Sequence, residues 1–234
     1  FLESGLLMIN KFTGFIASTC LIISFHSFSF DNSQVKSNES NEKGKALYQQ
    51  CAACHGQNGE GNEALNSPAL AGQYDWYLTR QISNFAKDIR GAHEKDVFGM
   101  QMLAMAKQLD QEKDVPSLVS YIQSLPVLKT EFNEPGNMPN GSRYYQGKCG
   151  ACHGGTAKGN KSLNAPKLTG LSKAYLQRQM SNFSSGIRGT KTEDKLGRQM
   201  AMMAKTTSGQ ELNDIIFYIL SQDNLSPSNS SASK

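Results

Sequence analysis

Four of the five cysteines in this 234-residue chain fall into two Cys-x-x-Cys pairs, each followed at once by histidine. The first is Cys51-Ala52-Ala53-Cys54-His55 and the second is Cys149-Gly150-Ala151-Cys152-His153. Two thiols at this spacing reach the two vinyl groups of one porphyrin and form thioethers, and the adjoining histidine is carried under the iron. This is the attachment signature of c-type haem. Cys51, Cys54, Cys149 and Cys152 are therefore expected to anchor two haem c groups covalently, with His55 and His153 as axial iron ligands. Zinc fits poorly, because a structural site needs four ligands and each motif offers three. A thioredoxin-like redox pair belongs to an α/β fold, and no such pattern surrounds either motif. A structural disulfide leaves the repeated histidine unexplained.

The chain is one unit written twice. Shifting it by 98 positions aligns the two motifs, and about half of the 59 positions that follow without a gap are identical. Pro68 meets Pro166, Arg80-Gln81 meets Arg178-Gln179, Ser83-Asn84-Phe85 meets Ser181-Asn182-Phe183, and Ile89-Arg90-Gly91 meets Ile187-Arg188-Gly189. The register slips by one residue near Pro116, so that Tyr121 corresponds to Tyr218.

This duplication restricts the second axial ligand, since each half must complete the same site. His93 faces Lys191, and His26 lies in an apolar leader, so a second histidine is excluded. Met100 faces Arg198 and Met202 faces Ala104. Only Met102 with Met200 and Met105 with Met203 pass, and within each half one of the two methionines is expected to be core filler.

The elements that position these residues read as helices. Glu42 to Gln50 and Gly141 to Lys148 lead into the cysteine pairs. Tyr74 to Ile89 and Lys173 to Ile187 carry apolar residues at helical spacing. Leu118 to Leu125 and Leu212 to Leu220 close each copy, the second behind the capping-box pattern Ser208-Gly209-Gln210-Glu211. Period-two alternation is scarce, so the expected class is all-α, with three or four short helices and long loops per copy. Between copies, Pro126, Pro135 and Pro139 resist helix and central strand, which predicts a linker over 127–140 between domains at 42–126 and 141–222.

At the ends, the apolar stretch Phe12 to Phe30 follows Lys11 and gives way to the polar extension 30–41, the layout of a cleaved secretory signal peptide over 1–29. Cys20, the odd cysteine, would leave with it. An uncleaved membrane anchor is the alternative. Residues 223–234 read as a flexible tail.

Cys-x-x-Cys-His-Gly, then Pro68-Ala69-Leu70-Ala71-Gly72 or Pro166-Lys167-Leu168-Thr169-Gly170, then a methionine segment before a closing helix resembles a class I cytochrome c. Two such domains behind a signal peptide resemble the cytochrome c4 family of di-haem periplasmic proteins, over about residues 42 to 222. The resemblance places the liganding methionine seven residues before the leucine that leads into the last helix. Leu109 thus selects Met102, and the repeat carries the choice to Met200, although Thr207 replaces that leucine in the second copy. It also implies that the carbonyls of Pro68 and Pro166 accept a bond from the proximal histidines, and that Arg90 and Arg188 are candidates for the haem propionates.

Residues 31–129 hold ten basic and twelve acidic side chains, whereas 130–234 hold thirteen and seven. A carrier so polarised suits docking of a negative partner surface by its second half. Nucleic acid is excluded by the scattered basic residues, the missing motifs and the expected compartment. The expectation is a monomeric periplasmic electron carrier, not an enzyme, working between redox protein partners. These are expected to be membrane-bound respiratory complexes, such as a quinol-oxidising donor and a terminal oxidase. The alternative is a di-haem subunit of a larger oxidoreductase of the flavocytochrome sulfide dehydrogenase type.

Overall fold

The computed structural model describes residues 32–128, 132, 135–207 and 209–224. The expected leader with Cys20, the middle of the linker, Ser208 of the expected capping box and the tail from 225 lie outside the described residues.

The first copy consists of α1 (Asn32–His55), α2 (Asp75–Ala86), α3 (Val97–Ala106) and α4 (Val115–Ser124). The second consists of α5 (Met138–Tyr145), a π-helical turn (Gln146–Gly150), α6 (Ala151–His153), α7 (Lys173–Ser184), α8 (Lys195–Ala204) and α9 (Gly209–Asn224). Among the described residues there is no strand, only the isolated bridges Asn62 to Ser67 and Asn160 to Ala165, and no helix is long and apolar enough to cross a membrane.

Several elements differ from the sequence expectation. α1 begins at Asn32, so the polar extension is helical. α3 and α8, the methionine segments, were not expected as helices. α3 is apolar all round and shows no amphipathic period, but the carboxylates of Asp96 and Asp194 accept from the Gly99 and Gly197 amides at 3.1 and 2.8 Å and start both helices. Pro139 lies in the first turn of α5, where a missing N–H costs nothing, with Asn137 as cap. α9 continues through Asn224, and Asp223 accepts from the Gly170 amide at 2.8 Å.

In each copy the helix that carries the cysteine motif or leads into it, α1 or α5, crosses the closing helix at a glycine. A Cβ on Gly44 would overlap the Ser117 carbonyl of α4, and one on Gly141 the Asp214 carbonyl of α9. Beside the crossing pack Tyr48 with Tyr121 and Tyr145 with Tyr218, at ring separations of 5.5 and 4.9 Å. The first core gathers Tyr48, Leu78, Val115, Leu118, Val119 and Ile122; the second gathers Tyr145, Leu176, Ile215, Ile216, Ile219 and Leu220. Burying each such side chain stabilises by about 1.5–3 kcal/mol, which fixes the end of the motif helix against its domain.

Candidate haem centres

His55 ends α1 and His153 ends α6, and both are buried. Just beyond each, the chain reverses in a loop whose amide at Gly61 or Gly159 donates to the histidine carbonyl at 2.8 or 2.7 Å. Both glycines have φ near +85° (86° and 84°), and a Cβ there would strike the backbone of Pro68-Ala69 or Pro166-Lys167 at 2.6 or 2.7 Å. Only glycine permits that approach, and the approach brings the proline carbonyl to the imidazole. His55 Nδ1 lies 2.8 Å from Pro68 O and His153 Nδ1 lies 2.9 Å from Pro166 O. A carbonyl can only accept, so Nδ1 carries the proton and Nε2 is left with its lone pair free for a metal. Burial pushes both imidazole pKa values down, with the proline carbonyl pulling the other way, and the net fall favours the neutral ring, the form that can bind a metal.

In each pair the first cysteine is half-buried and the second exposed, and neither pair is bridged. Burial raises the Cys51 thiol pKa, with Cys54 adding to the rise. Cys149 is pushed up to about 11, mainly by burial. Met102 and Met200 are half-buried on α3 and α8. Met105 is half-buried as well, but its counterpart Met203 is 41% exposed. Among the described residues no three His, Cys, Asp or Glu side chains cluster as a metal site.

Arg90 and Arg188 are buried where the two copies meet. Arg90 donates to Gln81 in its own domain at 2.7 Å and across the boundary to Tyr175 and Gln179, both at 3.1 Å. Arg188 donates to Gln179 at 2.5 Å and across to Gln81 at 3.0 Å. None of these acceptors is a carboxylate, and the Nε atoms of both arginines are buried without a hydrogen-bond partner. Burial opposes the Arg90 charge, but Tyr175, Tyr77 and the buried Asp96 outweigh it, and each buried Nε–H still calls for an acceptor. Haem c brings two carboxylates per group, and the residues present therefore fit it.

Sequence reasoning noted Arg80-Gln81 and Arg178-Gln179 as repeated without giving them a role. Arg80 clasps Asn164 through its side-chain and backbone oxygens at 3.3 and 2.9 Å, and Arg178 clasps Asn66 in the same way at 2.9 and 2.6 Å. Each asparagine takes a left-handed backbone (φ 55° at Asn164 and 57° at Asn66). The contact is thus reciprocal, residue for residue, as across a two-fold axis. Identity between copies at polar positions outside the cysteine motif was the signal. Trp76, with Ala174 as counterpart, was also missed; its Nε1 is buried without a partner.

The Cytochrome c family model matches residues 41–126 and again 139–223. Cytochrome c4 of Azotobacter vinelandii is 30% identical over 189 residues, covering 76% of this chain and 85% of that protein. The chain belongs to the cytochrome c family, in the tandem form of cytochrome c4. The crystal structure of reduced recombinant cytochrome c4 from Pseudomonas stutzeri superposes on this di-haem cytochrome with a TM-score of 0.59 at 26% identity, covering 76% of this chain and 96% of that one. A protein named thiosulfate dehydrogenase electron acceptor, from Thiomonas intermedia, is 31% identical and covers 79% of this chain and 83% of its own length. The tandem domains each bind one haem c, and the protein is an electron-transfer protein.

Proposed function

We propose that this cytochrome is exported to the periplasm and passes single electrons between a membrane donor such as a quinol-oxidising complex and an acceptor such as a terminal oxidase. In this reading Cys51, Cys54, Cys149 and Cys152 anchor the two haems, His55 and His153 give the proximal nitrogens, and Met102 and Met200 give the opposite sulfurs. Haem c, when bound, supplies a one-electron iron couple whose potential a thioether ligand raises. With a histidine nitrogen and a methionine sulfur both offered to each iron, no position would be left for a substrate, which suits a carrier. Pro68 and Pro166 hold the imidazole protons on Nδ1, and Arg90 and Arg188 offer their Nε groups to propionates at the domain boundary. The reading rests on the buried, carbonyl-locked imidazole present in both copies at 2.8 and 2.9 Å.

Purified holo-protein should give two haems per chain by pyridine haemochrome, titrate reversibly, and be reoxidised by membranes that contain a terminal oxidase. Its reduced spectrum should not move under carbon monoxide. A shift, or turnover of peroxide, would mean an open iron and overturn the assignment.

The second reading is a dedicated electron-accepting subunit of a larger oxidoreductase, such as one that oxidises sulfide or thiosulfate. The name of the Thiomonas intermedia relative favours it. A stoichiometric dehydrogenase partner that survives gentle pull-down would establish this reading over a free carrier.

A further inference from the structure

Three of the thirteen basic side chains of the second half line one groove. Between α7 and α8 lies an open groove of about 540 Å³ whose lining includes Lys195, Arg198 and Lys205 and no carboxylate. Arg198, Ala201, Met202 and Lys205 follow the spacing of one helix face. Met202, 64% exposed, is the most exposed large hydrophobic side chain among the described residues. Lys195, Arg198 and Lys205 are exposed, and among the described residues they enter no ion pair. Met200 stands two residues from Met202 on α8, about 200° around the helix, so the groove backs onto the face that carries the candidate iron ligand.

The first copy keeps only one of these bases at the matching positions. Val97, Met100 and Ala104 stand where Lys195, Arg198 and Met202 are, and Asp88 replaces Gly186 at the groove wall. The one base there, Lys107, is held by Asp88 at 2.8 Å. Both copies keep the cysteines, histidine and methionine of their centres, so holding a haem does not require these changes. They converge instead on a rim of free cations around an exposed thioether, the complement of a surface bearing carboxylates around an apolar centre.

We propose that this α7–α8 groove is the docking surface for the acidic face of a redox partner protein, with Lys195, Arg198 and Lys205 pairing its carboxylates and Met202 covered by an apolar side chain. The proposal rests on the electron-carrier reading and specifies where the partner sits. Such a contact steers encounter through long-range attraction and weakens as salt screens it.

The test uses the full-length holo-protein, with plastocyanin as an acidic protein oxidant and tris(phenanthroline)cobalt(III) as a small cationic one. With plastocyanin, the second-order rate constant should fall steeply with ionic strength. The variant Lys195→Glu/Arg198→Glu/Lys205→Glu should lose about tenfold or more at low salt, with its haem spectrum unchanged and its reaction with the cobalt reagent not slowed. The first-domain variant Val97→Glu/Met100→Glu/Lys107→Glu should lose far less. In addition, the Met202 methyl resonance should shift on adding copper(I) plastocyanin to the reduced cytochrome. A salt dependence that survives the second-domain variant, equal losses from both variants, or an unmoved Met202 methyl would overturn the proposal. So would a wild-type dimer that the second-domain variant abolishes, or binding to phosphatidylglycerol vesicles that it abolishes while the plastocyanin rate stays unchanged. A protein that exchanges electrons with neither reagent would instead sink the carrier reading itself.

Discussion

In the first domain Cys51 lies three residues after Tyr48; in the second, Cys149 lies four residues after Tyr145. Both tyrosines nevertheless reach the carbonyl just past the histidine, Tyr48 that of Gly56 at 2.8 Å and Tyr145 that of Gly154 at 2.7 Å. The extra residue is absorbed in the π-helical turn Gln146–Gly150, the usual way a helix takes an insertion without losing register at a functional site. The displaced Gln146 then donates to Gly155 O at 2.8 Å and Tyr218 OH at 3.1 Å, and Tyr218 itself donates to Gly155 O at 2.7 Å. The first domain builds its turn differently, with the Glu60 carboxylate accepting from the Asn58 amide at 2.8 Å. Lys158 occupies the matching place in the second domain. The geometry that a haem needs is thus held constant, while the chemistry around it has diverged in helix type and in the sign of charge.

The largest expected effect breaks one half alone. Cys51→Ala/Cys54→Ala should reduce the pyridine haemochrome yield from two haems to one per chain, and Cys149→Ala/Cys152→Ala should do the same. A chain that loses both haems from either variant would show that the halves do not mature independently. Next come the helix crossings: Gly44→Val and Gly141→Val force a side chain into a carbonyl and should each destabilise by about 1–3 kcal/mol or more, read as a lower denaturant midpoint. An effect confined to Gly141→Val would mean that the long α1 can shift where the short α5 cannot.

Ligand exchange sharpens the comparison further. Met102→His and Met200→His should each lower the potential of one centre and remove its weak sulfur-to-iron absorption band, whereas Met105→His and Met203→His should leave the spectrum unchanged. The reverse outcome would move the assignment to the other pair. The smallest effect is electrostatic. Glu60→Lys gives the first turn the second domain's charge and should raise the first haem's midpoint slightly in low salt, by an amount that shrinks as salt is added. A fall in potential would mean that charge at this turn does not set the difference between the centres.

Much of this was legible before any coordinate. The five-residue motifs fix the cofactor because thioether spacing and the adjacent ligand are local properties of a chain. Duplication then doubled every inference, and it reduced nine methionines to two candidate pairs. Helices with an amphipathic face, α2 and α7 among them, could be read from their period. α3 could not, since a segment apolar all round gives no period, and its start lies in a side-chain cap rather than in the apolar pattern. The π turn was legible only as the unequal distances from Tyr48 to Cys51 and from Tyr145 to Cys149.

What the chain alone determined was the chemistry: two haem c groups, the Cys-x-x-Cys-His motifs that mark them, and an all-α domain repeated in tandem. Tertiary structure decided how those parts meet. Arg90 and Arg188, which one sequence cannot tell from surface arginines, are buried against each other's glutamines. Met203 is turned outward while Met200 is not. Lys195, Arg198 and Lys205, spread over eleven positions, close around one methionine. The reason is physical: ligand spacing is set by bonds along the chain, whereas burial, reciprocity and a shared surface exist only once distant segments have packed.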